Sequence, residues 1–259
     1  MKQGKLNCVR IACAKKRSVC KTGPILQGIL KTTRENGFLN PDTILVLASG
    51  SPRRSELVGL TSLPFQIYPG KLDETQYPGE QPAAYVLRLA EEKARAVAAQ
   101  VDPGSFILAA DTIVVDGLDV LGKPAGTVEA AQVLRRLRGR SHTVLTAIAL
   151  YRASDGRLLV DLCETRVPMR EYSEAEIEAY VASGDPLDKA GSYAIQNRQF
   201  HPVERLSGCY ANVVGLPLCH LARSLRKLGI EPPTDVPATC QAYLAYDCPV
   251  FREILTGHS

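Results

Sequence analysis

An apolar run, Ile44 to Ala48, stops at Ser49-Gly50 and leads at once into Ser51-Pro52-Arg53-Arg54. No other stretch constrains the fold so closely. The run has the length and composition of a buried strand. Ser51 suits a helix N-cap, Pro52 suits the first helical position, and Ser55-Glu56-Leu57-Val58 continues the helix. A strand that feeds a helix N-terminus through a tight turn commits the chain to an α/β arrangement. The open N–H groups of that first turn attract an anion. Arg53 and Arg54 stand where the helix dipole disfavours cations, so their placement needs an outside reason. A polyphosphate supplies one, because the guanidinium fork fits phosphate oxygens. Two solvated arginines at a surface helix start explain the stretch equally well on local grounds.

The remaining pattern alternates strands and helices, then turns to hairpins. Strands are expected at Pro64–Tyr68, Phe106–Val115, Val120–Leu121, His142–Tyr151 and Leu158–Val167, with shorter ones at Ser192–Gln196 and Ala211–Val214. Helices are expected at Ala83–Gln100, from a Thr127 cap to Arg138, after the Ser173/Glu176 capping box, and at Pro217–Leu228. A further short helix is expected near Phe251. The fold class is α/β, a mixed sheet with helices on its faces. The chain divides into a basic, loosely ordered extension (1–42), a main domain (43–229) and a C-terminal tail (230–259).

Charge is unevenly placed. The formal net charge is +4, yet nine Lys or Arg fall within residues 1–42 against Glu35 and Asp42. Beyond residue 42, 22 basic residues face 25 acidic ones, so the body is mildly acidic. That disfavours nucleic-acid binding by the body; an RNA-binding arm at residues 1–42 stays open. No apolar run is long enough for a membrane span. Eight scattered cysteines show no ligand spacing, and no secretory stretch is present, so reduced thiols and a cytoplasmic location are expected. A targeting role for residues 1–42 is also open.

Two residues break their local pattern. Lys93 falls in the apolar stripe of its helix, with Val86, Leu89, Ala90, Ala94 and Val97. Such an ammonium needs a partner unless it snorkels to the edge. Asp111 interrupts an otherwise apolar strand, which marks a general base or metal ligand, or a bulge satisfied by local amides. Gly117 to Lys123 has the spacing of a phosphate-binding P-loop, but Pro124 replaces the metal-binding hydroxyl and no helix opens there. Lys123 remains a phosphate-binding candidate at a strand end, or a solvated turn residue. The four histidines lack metal spacing, and there is no Gly-x-Ser-x-Gly elbow.

Seven segments occur in order: Ala48–Arg54, Glu92-Lys93-Ala94, Ala110-Asp111-Thr112, Gly122-Lys123-Pro124, Asp188–Gly191, Tyr193–Gln196 and Gly208–Pro217. Together they resemble the Maf family of nucleoside triphosphate pyrophosphatases over residues 43–229. The resemblance implies a two-lobed fold around a cleft, like the inosine triphosphate pyrophosphatases. It implies hydrolysis of a nucleoside triphosphate to the monophosphate and pyrophosphate with a divalent metal (Mg or Mn), and commonly a homodimer. The branch most similar to this chain acts on dTTP and UTP, and carries Ser-Pro-Arg-Arg, Asp-Thr and Ile-Gln at the places filled here by Arg53, Thr112 and Gln196. Asp111 is then expected as the catalytic carboxylate and, with Glu74, as metal ligand. Ser49, Arg53, Arg54, Lys93, Thr112, Lys123 and Gln196 are expected to bind substrate. Gln196 offers a donor and an acceptor to a pyrimidine edge, and Thr112 adds a hydroxyl. The family's older association with cell-division inhibition gives the alternative, a nucleotide-binding regulator without turnover. Asn197 departs from the family pattern, where glycine follows the glutamine, so the segment from Asn197 to Arg205 is expected to differ.

Overall fold

The computed structural model describes residues 45–257. The expectations for residues 1–42 and for Ile44 lie outside the described residues. The opening run forms β1 (Leu45–Leu47), the Pro52-Arg53 segment opens α1 (Pro52–Gly59), and β2 (Phe65–Ile67) follows. Then come α2 (Pro82–Ala98), β3 (Phe106–Asp116), β4 (Asp119–Leu121), α3 (Thr127–Leu137), β5 (Ser141–Arg152), β6 (Arg157–Pro168) and α4 (Glu174–Ala182). The chain continues through 3-10 turns at Asp185–Asp188 and Ala190–Ser192, then α5 (Tyr210–Val214), α6 (Leu218–Lys227), α7 (Val236–Leu244) and α8 (Phe251–Thr256).

The strands form one mixed sheet in the order β2-β1-β3-β5-β6, with β4 paired to β3. β1 runs parallel to both neighbours, whereas β3, β5 and β6 are antiparallel in turn. The chain leaves β1 through α1 to reach β2 on one side, then returns through α2 to β3 on the other. Strand order thus reverses at β1, and the crevice beyond the carboxyl ends of such strands is where open α/β sheets bind ligands. β1 stops pairing once Ala48 N donates to Leu108 O at 2.8 Å. β4 takes up the same edge of β3 at Val114. Between these points residues 109–113 have no strand neighbour on that edge among the described residues.

Side chains alternate across β3 and β5 and so sort into two faces. Ile107, Ala109, Ile113, Leu145 and Ala147 meet the apolar stripe of α2. On the opposite face, Leu108, Ala110, Ile148 and Leu150 pack with α1 and α6. Further along that face, Val114 and Val144 pack with α3 and α4. Two cores thus share one face, and the unpaired stretch of β3 lies between them. Asp111 projects with the α2 face and adjacent Thr112 with the other.

Four local expectations are corrected. Ser192–Gln196 is not a strand: it leaves a 3-10 turn, and Ala194 N bonds the Tyr180 hydroxyl at 2.9 Å instead of a ladder partner. Ala211–Val214 lies in helix α5, because the Asn212 amide is captured by Val144 O at 3.1 Å and Thr165 Oγ1 at 2.9 Å, and tertiary capture overrides the β-branched valines. Thr127 is the first residue of α3 rather than its cap, a position taken by Gly126. The Ser173/Glu176 capping box forms as expected. The tail carries two helices and not one. Ile230, Val236 and Ile254 are buried, and Thr234 Oγ1 donates to Leu60 O at the end of α1 at 3.1 Å.

Candidate active site

The strand-turn-helix stretch places Ser49, Gly50 and Ser51 at the mouth of the crevice. Ser51 makes no side-chain cap; instead its N–H donates to Ser49 Oγ at 3.2 Å. No acidic residue occupies the first turn of α1, so its amides are left for an outside anion. Arg54 turns inward from that turn. Its Nε donates to Gly215 O at 2.9 Å, Nη1 to Ser49 Oγ at 3.3 Å and Nη2 to Thr112 Oγ1 at 3.1 Å. Burial lowers its pKa, an effect opposed by Asp111. An arginine still keeps its charge at neutral pH. Gly215 is required here: its φ is +126°, and an added Cβ would sit 3.7 Å from Arg54 Nε.

Lys93 resolves its conflict with the apolar stripe by pairing. Its ammonium contacts Asp111 Oδ1 and lies 2.7 Å from Glu74 Oε1. The Asp111 and Lys93 side chains are 10% and 12% exposed, against 55% for Glu74, so the pair is inside and Glu74 reaches in from solvent. Glu74 belongs to the irregular segment between β2 and α2. Arg88 holds that segment to α2, donating to Glu80 at 2.6 and 2.7 Å and to Thr75 O at 3.1 Å. Tyr85 adds a hydroxyl bond to Glu74 O at 2.6 Å.

These groups surround a cavity of about 400 Å³. Its walls include Ser49, Arg53, Arg54, Glu74, Lys93, Thr112, Lys123 and Gln196. Asp111 is not on the wall; it lies behind Lys93. Eight of the nine site residues expected from sequence therefore share one cavity, and the ninth touches it through an ion pair. Five cations (Arg53, Arg54, Lys93, Lys123 and Lys189) line the cavity against two carboxylates, Glu74 and Asp188. That excess sits within an acidic body, and Arg54 and Lys123 form no ion pair among the described residues.

Sequence reasoning missed Asp188 and Lys189 as site residues. Asp188 lies 3.6 Å from Arg53 Nη1, and Lys189 is held by Asp185 at 2.9 Å and Asp188 at 2.6 Å. Their signal was present in the Asp188–Gly191 segment. Asn197 ties the adjoining turn, donating to Asp185 Oδ2 at 3.1 Å and accepting from Phe200 N at 2.8 Å.

No group of three or more potential metal ligands occurs among the described residues. Asp111 and Glu74 nevertheless converge on one ammonium. Two carboxylates are what magnesium takes when waters and substrate phosphates complete its octahedron. The pair fits an ion that arrives with a polyphosphate rather than a resident cage.

A family model described as Maf-like protein matches residues 44–228. A dTTP/UTP pyrophosphatase of Dehalococcoides mccartyi is 43% identical over 188 residues, covering 73% of this chain and 84% of that one. A dTTP/UTP pyrophosphatase of Anaeromyxobacter dehalogenans is 48% identical over 195 residues, covering 74% and 98%. Among solved structures, a nucleoside-triphosphatase (dITP/XTP pyrophosphatase) of Mycobacterium abscessus aligns with 17% identity and a TM-score of 0.34, covering 50% of this chain and 76% of that one. The fold rests on the sheet order above. On the family match and these two relatives, the chain belongs to the Maf family.

Proposed function

We propose that the protein hydrolyses nucleoside triphosphates, dTTP and UTP foremost, to the monophosphate and pyrophosphate. The observation that carries this reading is the cavity's five cations gathered around the Lys93–Asp111–Glu74 cluster. The names of the family relatives agree with it. Arg54, Lys123 and the open amides of α1 bind the phosphate chain. As phosphate oxygens arrive they draw the Lys93 ammonium from Asp111, and the uncovered carboxylate takes a proton from water. The water oxygen bonds to the α-phosphorus, the bond from that phosphorus to the bridging oxygen breaks, and pyrophosphate leaves with the electron pair. A divalent cation held by Asp111 and Glu74 supplies further neutralisation of phosphate charge when bound. Phosphoryl transfer depends chiefly on such positioning and neutralisation. Gln196, with Arg53, reads the base edge. In this reading the enzyme is a homodimer of the cytoplasm, and no helix among the described residues is long and apolar enough to cross a membrane.

The test is incubation with a panel of nucleoside triphosphates and Mg²⁺, with separation of products. Uridine and thymidine monophosphates with pyrophosphate are expected. Diphosphate with free phosphate would contradict the bond assignment. Tight binding without any product would favour a regulator.

A further inference from the structure

We propose that Thr146, through a directed chain of hydrogen bonds, makes the Thr112 hydroxyl an acceptor toward the cavity and so favours bases that present a ring N–H. The proposal rests on the pyrimidine reading of the site and names a positioning residue for it. Thr146 lies on β5 directly opposite Thr112 and is fully buried. Its Oγ1 is 3.0 Å from Asn212 O and 2.9 Å from Thr112 Oγ1.

A carbonyl oxygen can only accept, so the single Thr146 proton goes to Asn212. The proton between the two threonines must then come from Thr112. Arg54 Nη2, which can only donate, takes one lone pair of Thr112 Oγ1 at 3.1 Å. One lone pair is left, on a side chain that lines the cavity. Thr112 therefore has no proton to offer a ligand, although its hydroxyl is nominally amphoteric.

The far end of the chain is equally fixed. The Asn212 amide nitrogen donates to Val144 O, which cannot reciprocate, and to Thr165 Oγ1. The Thr165 proton in turn reaches Cys209 O at 3.3 Å. Main-chain carbonyls of Asn212, Val144 and Cys209 thus set every proton in the network. None of these groups needs a ligand, so the polarity of Thr112 is established before substrate enters. Uracil and thymine carry a hydrogen on N3, whereas cytosine carries a lone pair there. An acceptor at Thr112 pairs with the first two and opposes the third.

The experiment compares kcat/KM for UTP, CTP and 3-methyl-UTP, which keeps both carbonyls and replaces the N3 hydrogen by a methyl group. The wild type, Thr146→Val and Thr146→Ser are used, each checked for its melting temperature. For the wild type, 3-methyl-UTP should be poorer than UTP by roughly tenfold or more, the scale of at least one net hydrogen bond. Thr146→Val frees the Thr112 proton, so the UTP-to-CTP ratio should fall by about the same factor. Thr146→Ser restores the acceptor and should keep the wild-type ratio. Equal losses for UTP and CTP in Thr146→Val would reduce Thr146 to a support of the fold and overturn the proposal. Equal wild-type turnover of UTP and 3-methyl-UTP would overturn it without any variant. Failure of the wild type to hydrolyse UTP or CTP at all would instead sink the functional reading beneath it.

Discussion

At the residue scale, the site is built from side chains that contradict their surroundings. Asp111 in an apolar strand and Lys93 in an apolar helix stripe each carry a cost of several kcal/mol (order of magnitude) when buried alone. Each is explained by the other, with which it forms an ion pair. Asp111→Asn should keep the fold and abolish pyrophosphate release, because the amide cannot take a proton from water. A well-folded variant with wild-type release, measured by a coupled pyrophosphate assay, would remove Asp111 from the mechanism. Gln196→Ala should cost on the order of 1–3 kcal/mol in kcat/KM for UTP and much less for GTP. An equal fractional loss for both would place base discrimination elsewhere. The conflict residues were legible because a local pattern makes a misfit visible. Thr112 was legible only in part: its type is in the sequence, but the direction of its proton depends on Asn212, a hundred residues on.

At the element scale, long periodic segments announced themselves and short irregular ones did not. α2 and β3 carry long apolar stripes, each broken once, and the capping box is a signature of two residues, Ser173 and Glu176. Ser192–Gln196 and Ala211–Val214 have strand-like composition, yet neither pairs, because Ala194 N–H donates to the Tyr180 hydroxyl and the Asn212 amide donates to Val144 O and Thr165 Oγ1. The segment between β2 and α2 was read as a polar loop, and nothing local revealed that Arg88 staples it. The Arg88 guanidinium forms a fork with Glu80 and lies 3.8 Å above the Tyr77 ring. Arg88→Met keeps the aliphatic stem and removes that fork. Amide exchange across residues 71–80 should quicken and kcat should fall as Glu74 loses its place, while stability drops by only about 1 kcal/mol. Unchanged exchange with an unchanged kcat would show that the segment holds itself.

At the scale of the whole molecule, buried histidines give the fold an acid limit. Burial lowers the pKa of both His142 and His220 from 6.5 to about 4. A depressed histidine value stabilises the folded state above pH 6.5, and that stability is lost as pH falls through the folded value near 4. For His142 alone the loss is of order 3 kcal/mol. Glu176 and Asp155, held near 2 mainly by Arg170 and Arg152, add their losses chiefly below that window. Melting temperature should therefore decline between pH 6.5 and 4.5, and His142→Gln should flatten the decline; an equally steep decline in the variant would assign it to other groups. The tail joins this scale too, since Thr234 and Thr239 bond Leu60 O at the end of α1, and α7 and α8 pack against α6. The unpaired edge of β3 at residues 109–113 has one more consequence. An exposed strand edge is a template on which another chain can add itself, and proteins commonly guard such edges with charge. Here the edge residues Ala109, Ala110, Asp111 and Ile113 are themselves buried, and Arg54 spans the gap by bonding Thr112 and Gly215. The guanidinium that faces the cavity thus also closes the edge on which another strand could add itself.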